Sequence, residues 1–393
     1  MFFVSGLKYI IKKLMLVCQP ILFFVFFVIF KVFCRRPSQI EWVVGVGEAG
    51  GNIDKISQIL PSTYTATLYR NPYYPDLSYD FSITLTHRWV RYLKILFVGP
   101  IIFAYLVNKA TGFWYAGAAG FFVNRKQELY FLKKMNKKIV CLFYGSEIRS
   151  PKKVLEFFRS RDEDCYVDYI ACENSYYLSQ GNENEKRKLA ATADRFADVV
   201  FSYSVDQMSY IKKKQYPWPC IYSINFLGKN NEKFQDGVVI KVLHAPTNVL
   251  FKGTALVRAA IKQLTEQGYK FQYVELVNKT NAEILAELQT THIVLNQFYA
   301  MIPGILGIEG MANHCAVLQS ADPDLEPGLP QSGKSAWLVT RYWEIYDHLK
   351  YLLDNPEKIK YFADNGYSFV KRKYSLESAG QYVQKVFKEA GVI

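Results

Sequence analysis

Apolar and polar positions divide the chain into an apolar start and a long alternating remainder. From Glu41 onward, short apolar runs lead into glycine-containing turns and then into segments with helical spacing, a succession typical of α/β domains. The first such unit is a strand over Trp42–Val46, the turn GEAGGN at 47–52 and a helix over 53–60. The alternation is too regular for an all-α or an all-β fold.

The same pattern predicts two series of units, separated by the polar stretch GKNNEKFQDG at 228–237. We expect two doubly wound, Rossmann-like domains, residues 38–230 and 238–374, which face each other and bind ligand at the carboxyl ends of their strands. The predicted strands are 138–143, 197–203, 238–243, 271–276, 293–296 and 337–339. The predicted helices are 152–161, 205–214, 254–267, 282–288, 342–354, 356–373 and 376–390, with one more that opens at Glu309.

Residues 1–37 form an apolar N-terminal segment. The run LMLVCQPILFFVFFVIF at 14–30 has no charge and is borderline in length for a membrane-spanning helix. Basic residues flank it on both sides: Lys8, Lys12, Lys13, Lys31, Arg35 and Arg36. This suits a segment at an anionic membrane surface, and no small-residue cleavage site follows it. We expect a membrane-associating segment, spanning or lying on the bilayer, with a buried first helix as the alternative.

A second apolar stretch, ILFVGPIIFAYLV at 95–107, is too short to span a membrane. It is predicted either as a buried helix or as a second patch that enters lipid.

Composition narrows the class of protein. The 393 residues, half of them hydrophobic, are enough for two cores. The 48 Lys and Arg against 35 Asp and Glu give a net charge of +13, which favours phosphorylated substrates, anionic lipid or nucleic acid. The charges are dispersed and no nucleic-acid module is present, so no nucleic-acid partner is expected. The seven cysteines are scattered, which indicates reduced thiols in a cytoplasmic protein and no metal site.

Two glycine-containing turns are candidates for anion binding. Gly50 and Gly51, before Asn52, lie where a strand enters a helix, and backbone N–H groups there face anions. In VLHAPTNVLFKGT at 242–254, Lys252 beside Gly253 at a helix start suits a phosphate clamp. Tight packing at the first turn and a solvated lysine at the second are the alternatives.

Two further segments carry carboxylates. In GILGIEGMA at 304–312, Glu309 suits the hydroxyls of a ribose, or it caps the helix. In YGSEIR at 144–149, Glu147 and Arg149 follow a buried strand, where they contact acceptor or donor or pair with each other. The sequence contains no P-loop, Ser/His/Asp order or paired metal carboxylates, which disfavours kinase and hydrolase functions.

Several of these segments resemble one family. VLHAPTN at 242–248, FKGT at 251–254 and GILGIEGMA resemble the nucleotide-binding domain of GT-B glycosyltransferases, especially the family 4 type that builds bacterial capsules and O-antigens. GEAGGN resembles the first glycine loop of that family, and FYGSEIR at 143–149 resembles its Gly-Ser-Asp-Ile-Arg segment. The resemblance covers residues 43–387 and is most specific in the second domain.

The resemblance implies a function and a set of roles. A sugar would pass from a nucleotide diphosphate donor to a cell-surface polysaccharide or lipid-linked acceptor, with retention of configuration and without a metal. Lys252 would bind the diphosphate, Glu309 the ribose, and Glu147 would act on the acceptor side. The implied donor-binding residues also include Gly50, Gly51, Asn52, His244, Thr247, Asn248, Gly253 and Gly304, and the acceptor-side residues include Tyr144, Gly145, Ser146 and Arg149. The terminal segment 375–393 would pack back on the first domain.

The chain departs from the family pattern at four places, one of which is Asn313, His314 and Cys315, where family segments commonly read Gly-Lys-Pro. Val249 stands where many relatives have arginine, Met301 where many have an earlier glutamate, and Tyr144 where histidine is frequent. A catalytically inactive scaffold of the same fold and a polyol phosphate transferase therefore stay open as alternatives. An enzyme at the cytoplasmic face of a bacterial membrane is the main expectation.

Overall fold

The computed structural model describes residues 2–33, 41–69, 71–83, 88–223 and 228–393, with side chains throughout except at 2–13 and 88–92. Residues 34–37 of the predicted N-terminal segment, among them Cys34, Arg35 and Arg36, lie outside these ranges.

The first domain is built on a six-stranded parallel sheet in the order β3-β2-β1-β4-β5-β6. Its strands are β1 Trp42–Val46, β2 Thr63–Thr67, β3 Phe81–Ser82, β4 Gly112–Ala116, β5 Lys138–Leu142 and β6 Val199–Phe201. Its helices are α1 Phe2–Phe33, α2 Asn52–Ile59, α3 Arg88–Lys109, α4 Arg125–Lys134, α5 Pro151–Arg159, α6 Tyr166–Glu173, α7 Gln180–Phe196 and α8 Ser204–Gln207. The strand order reverses between β1 and β4, where a doubly wound sheet opens a crevice for ligand.

The second domain has a five-stranded parallel sheet in the order β11-β10-β9-β7-β8. Its strands are β7 Lys241–His244, β8 Gln272–Glu275, β9 Ile293–Leu295, β10 Ala316–Gln319 and β11 Leu338–Val339. Its helices are α9 Val249–Lys252, α10 Thr254–Glu266, α11 Asn281–Leu288, α12 Gly304–Ala312, α13 Gly333–Ala336, α14 Ile345–Asp354 and α15 Pro356–Lys373, and α16 Leu376–Glu389 ends the chain. Short 3₁₀ helices occupy Ser175–Leu178, Glu232–Phe234 and Tyr342–Glu344. The order of this sheet reverses between β7 and β9.

The last helix, α16, completes the core of the first domain. Its Phe387 ring stacks on Trp42 at 5.1 Å between ring centroids and lies 5.8 Å from Trp114. Trp114 in turn stacks on Phe201 at 5.1 Å. Parallel sheets are covered on both faces, and α16 supplies part of that cover for β1 and β4, which begin more than 250 residues earlier.

The predicted fold class is confirmed: two Rossmann-like sheets face a cleft, and an apolar helix precedes them. The helix predicted over 205–214 is wrong, because α8 ends at Gln207 and Met208 takes a left-handed conformation with φ 40°. The helix predicted to open at Glu309 begins at Gly304 instead, so Glu309 lies in its second turn.

The N-terminal helix α1 is apolar on two opposite faces. Phe23 is fully buried, and its ring lies 5.0 Å from Phe103 of α3. Leu14–Phe33 is long and apolar enough to cross a membrane by length and composition. The stretch 95–107 lies within α3, which also has a buried and an exposed side.

Candidate functional site

The carboxyl ends of both sheets face one cleft, which contains two contiguous cavities. The larger, of about 700 Å³, is lined by loops that follow β1, β4, β5, β6 and β9. The smaller, of about 500 Å³, lies between the β1 loop and the segments that follow β7 and β8. Ala49 and Tyr69 line both cavities. Together the cavities lie at the strand-order reversals of both sheets, and each has the size of a small-molecule site.

Lys252 reaches the wall of the smaller cavity from α9. Its Nζ donates a hydrogen bond to Gln297 Oε1 at 2.5 Å, which joins the loops that follow β7 and β9. Burial lowers the pKa of Lys252 to about 8, although the nearby Asp206 carboxylate opposes this shift. A desolvated ammonium held by one neutral amide is well suited to an incoming anion.

Glu309 lines the same cavity from α12 and is buried. Its Oε1 accepts a hydrogen bond from Asn281 Nδ2 at 2.7 Å. Burial raises the pKa of Glu309, and the Lys55 ammonium opposes that shift. Because Glu309 lies in the second turn of α12, it does not cap the helix, so that alternative is wrong.

Lys55 is a residue of this region that sequence reasoning missed. It projects from α2, is only 8% exposed, and its Nζ lies 6.0 Å from the centre of the Tyr74 ring. Together with Glu309 and Asn281 it lines a side pocket of about 260 Å³ next to the smaller cavity. The first domain therefore contributes a cation beside the carboxylate of the second.

Of the other candidate residues after β7, some line the cavities and others support the backbone. Thr247 lines the smaller cavity and Asn248 the larger, where Asn248 Oδ1 also caps α9 by accepting from Phe251 N at 2.9 Å. His244 is fully buried and is bonded to Leu295 O and Thr254 Oγ1, and burial lowers its pKa to about 4. Its neutral ring ties β7 to its neighbours. Gly253, with φ 73°, allows the tight turn between α9 and α10.

The glycine loop after β1 is arranged differently from the expected anion cradle. The N–H groups of Asn52 and Ile53 donate to the carboxylate of Glu48, at 3.1 and 3.2 Å. The Glu48 side chain thus bonds the N–H groups at the start of α2 that we expected to bind an anionic ligand. The Asn52 side chain bonds to Ala49 O and accepts from Trp218 Nε1, within the domain.

Gly50 and Gly51 have φ of 64° and 70°, a conformation that favours glycine. A Cβ at Gly50 would lie 1.7 Å from Ile305 Cδ1 of the second domain. Close approach of the two domains therefore explains a glycine at position 50.

Tyr144 lines the larger cavity, while its hydroxyl is buried beneath the cavity surface. Its ring lines the cavity, and within the described part of the chain its buried hydroxyl has no hydrogen-bond partner. Burial raises the pKa of this hydroxyl well above its usual range, so it stays protonated. A buried hydroxyl without a partner is costly.

The neighbouring loop residues bond mainly to one another. Glu147 accepts from the N–H groups of Tyr144 and Gly145 at 2.5 and 3.1 Å, and the Ser146 carbonyl accepts from Lys186 Nζ at 2.6 Å. These bonds fix the loop against the larger cavity, which Gly145, Ser146 and Glu147 line. Gly304, across the cleft, lines it as well.

Arg149 pairs with Asp206 and not with Glu147, so the expected Glu147–Arg149 pair is wrong. Its Nη2 lies 2.5 Å from Asp206 Oδ2, and its Nε donates to the Asp206 carbonyl at 2.7 Å. Burial lowers the pKa of Arg149, but the neighbouring Asp206 carboxylate raises it more, so this pKa lies above its usual value. Sequence reasoning missed Asp206, which follows β6 and lines the larger cavity.

Asp206 also joins the two domains. Asp206 Oδ1 accepts a hydrogen bond from the N–H of Met301 at 2.9 Å, and the N–H of Asp206 donates one to Glu326 Oε2 at 2.8 Å. Met301 is thus a buried methionine beside a carboxylate from the first domain. Among the described residues, no group of three or more His, Cys, Asp or Glu side chains is placed to hold a metal ion.

Comparison with solved structures places this architecture in the GT-B class: two Rossmann-like domains that face each other across a ligand cleft. HepE from Anabaena, solved with UDP-glucose, superposes with a TM-score of 0.54 at 12% identity, over 89% of this chain and 99% of HepE. Sucrose-phosphate synthase from Thermosynechococcus elongatus gives 0.60 at 13% identity, over 91% and 100%.

MnaA from S. aureus, solved with UDP, superposes with a TM-score of 0.52 at 10% identity, over 90% of this chain and 98% of MnaA. At these identities the likeness concerns the fold. No protein-family model matches the chain, and no curated protein sequence matches it significantly.

Proposed function

We propose that the protein is a glycosyltransferase that moves a sugar from a nucleoside diphosphate donor to a saccharide acceptor. The observation that carries the proposal is the pair of contiguous cavities at the carboxyl ends of both sheets, one lined by Lys252 and Glu309 and the other by Tyr144 and Glu147. HepE is solved with UDP-glucose and MnaA with UDP, which supports a uridine nucleotide as the first donor to test.

In this proposal the smaller cavity binds the nucleotide. Lys252 exchanges its amide partner Gln297 for the diphosphate, and Glu309 exchanges Asn281 for the ribose hydroxyls. The first exchange replaces a neutral acceptor of the ammonium by an anionic one, and the second replaces one amide donor to the carboxylate by two hydroxyl donors. When the bond between the sugar and the diphosphate breaks, negative charge grows on the leaving oxygen, and a positioned ammonium lowers the barrier.

The larger cavity takes the transferred sugar and the acceptor hydroxyl, which forms the new bond to the anomeric carbon. Tyr144 contacts this sugar through its ring, and Glu147 acts on the acceptor side. The resemblance to retaining relatives supports retention of configuration. NMR of the anomeric proton in the first product formed tests that assignment, since an inverted product would contradict it.

The proposal includes neither a metal nor another cofactor, and no nucleic acid. The acceptor is a cell-surface polysaccharide or its lipid-linked precursor, reached at the cytoplasmic face of the membrane. The apolar N-terminal helix and the basic charge support this location.

Thermal shift of the full chain in detergent tests the donor site directly, with UDP, GDP, ADP, CMP and their sugar conjugates. We expect stabilisation by one nucleotide, abolished in Lys252→Ala and Glu309→Ala and retained in the control Lys262→Ala, a side chain that is 76% exposed. Absence of any shift would support the inactive-scaffold alternative. Product analysis separates transfer of a sugar from transfer of a polyol phosphate.

A further inference from the structure

Helices α1 and α3 share one exposed apolar surface. On α1 the exposed side chains follow helical spacing: Leu14, Val17, Ile21, Phe24, Val25, Val28, Ile29 and Val32. On α3 the exposed Leu93, Phe97 and Val98 flank Ile95, whose carbonyl accepts a hydrogen bond from Gln19 of α1 at 2.9 Å. Contiguous apolar surface of this extent marks an interaction site on a soluble domain.

The opposite face of α1 is fixed to the first domain along its apolar length. Gln19 bridges α3 and the loop after β4, because its Oε1 also accepts from Val123 N at 2.9 Å. Phe23 is fully buried, and the Phe27 carbonyl accepts from Asn108 Nδ2 at 3.2 Å. A helix that crossed the bilayer would have to give up these contacts.

The edges of this surface are basic. Neither α1 nor α3 contains an acidic residue, and the one acidic residue of the adjacent α4, Glu128, is fully buried. The exposed Lys31 and Lys134 lie over the rings of Phe27 and Tyr130, at 6.0 and 5.7 Å. Lysines and tyrosines next to aliphatic side chains suit the boundary between lipid chains and anionic headgroups.

We propose that the exposed faces of α1 and α3 form a docking surface for an anionic lipid bilayer, with α1 lying in the plane of one leaflet. The occupant is the lipid surface, because the patch offers aliphatic and phenylalanine side chains within a basic edge. Burial of the apolar faces supplies the attachment, and the lysines select anionic headgroups.

The loop 117–123 connects the buried face of α1, opposite the docking surface, to the wall of the larger cavity. Its first part, Gly117 to Ala119, lines the cavity, while Phe122 packs against Phe23 at 5.8 Å between ring centroids. Glu128 fixes the loop by accepting from the N–H groups of Phe121 and Phe122. A lipid-linked acceptor in the same leaflet would thus present its saccharide to the cavity, a consequence that rests on the proposed function.

Flotation of the purified full chain with vesicles tests the surface without donor or acceptor. We expect binding to vesicles of phosphatidylglycerol and phosphatidylcholine that is at least tenfold stronger than to phosphatidylcholine alone. The triple variant Val17→Asp, Ile21→Asp, Val28→Asp should lose this binding, and the control Val238→Asp, Val239→Asp, exposed in the interdomain segment, should retain it. Lys31→Glu with Lys134→Glu should remove the preference for anionic lipid.

Three outcomes would overturn the inference. The first is vesicle binding by the triple variant that equals wild type while circular dichroism shows that both are folded. The second is a wild-type dimer in the absence of lipid that the triple variant converts to a monomer, since the surface would then bind a second copy. An N-terminal epitope tag distinguishes the in-plane helix from a spanning one: added protease should digest it in sealed vesicles, and protection would contradict the in-plane arrangement. Failure of donor binding leaves all these results unchanged.

Discussion

The charged groups on the two walls of the cleft differ in how many hydrogen-bond partners they have. In the first domain, Glu48 accepts from two helix N–H groups and from Tyr79, and Arg149 donates twice to Asp206. In the second domain, Lys252 and Glu309 each hold one neutral amide, Gln297 and Asn281.

The difference separates charges that stabilise the fold from charges that are available to a ligand. A charge with several buried partners leaves unpaired groups behind when it is removed, which costs stability. A buried charge with one amide partner is easily transferred to a ligand that bonds it better. We therefore expect substitutions in the first wall to change unfolding and those in the second to change donor binding.

The largest effect is expected at Arg149. Arg149→Met leaves the buried Asp206 carboxyl without its cationic partner, and loss of one member of such a pair costs about 3–5 kcal/mol of unfolding free energy. Denaturant titration measures this loss. The control Arg159→Met removes a surface pair, whose side chains are 65% and 45% exposed, and should cost less than about 1 kcal/mol. Equal losses of unfolding free energy in the two variants would contradict our view that the charges of the first wall stabilise the fold.

Next in size is the effect of Lys252→Met on donor affinity. Loss of a hydrogen bond to a charged group costs about 1.5–3 kcal/mol, or roughly 10- to 100-fold in Kd. Stability should change by less than about 1 kcal/mol, because Lys252 is already disfavoured as a buried charge. Calorimetric titration with donor, beside the control Lys262→Met, measures both quantities. A stable variant with wild-type affinity would contradict the assignment.

A smaller effect is expected at Glu48. Glu48→Ala leaves two N–H groups at the start of α2 without their acceptor, and loss of such a cap costs about 1–2 kcal/mol. Thermal unfolding compared with the exposed control Glu266→Ala, expected within about 0.5 kcal/mol, measures it. If Glu48→Ala instead raised donor affinity without loss of stability, the β1 loop would be a phosphate site that Glu48 blocks.

The smallest effect is a dependence of donor binding on pH. Lys252 is charged below its pKa of about 8, so affinity for a diphosphate sugar should be full near pH 7 and fall as the pH rises through 8. From pH 7 to pH 8.7 we expect a decrease of about fivefold. Lys252→Arg, which does not titrate in this range, should bind independently of pH. A wild-type affinity that is constant to pH 9 would assign the binding charge to another group.

The fold was predictable where apolar runs ended in glycine turns, as at β1 and β5. Strands β2, β3, β4 and β10 were not predicted; β4 directly follows the apolar α3, which hides its start. The wrong helix over 205–214 has a non-local cause: the N–H groups of Lys212 and Lys213 donate to the carboxylate of Asp194, a residue of α7. Such a competing hydrogen bond leaves no local signal.

The candidate site was predictable where a motif carried it, as for Lys252 and Glu309. Asp206 has no motif, although its position just after a buried strand is a signal that places it at the same sheet edge as Glu147. Lys55 has no such signal, because its burial beside Glu309 depends on how the two domains approach.

We infer that the charged residues of the second wall, Lys252 and Glu309, bind the donor. Calorimetric titration of UDP-glucose into wild type, Lys252→Met, Glu309→Gln and Arg159→Met, with unfolding free energies measured on the same samples, tests it most directly. The account predicts that the first two variants lose about tenfold or more in affinity at nearly wild-type stability, while Arg159→Met retains both. Affinity that falls only in proportion to lost stability, or is unchanged in all three variants, would contradict a donor site at Lys252 and Glu309.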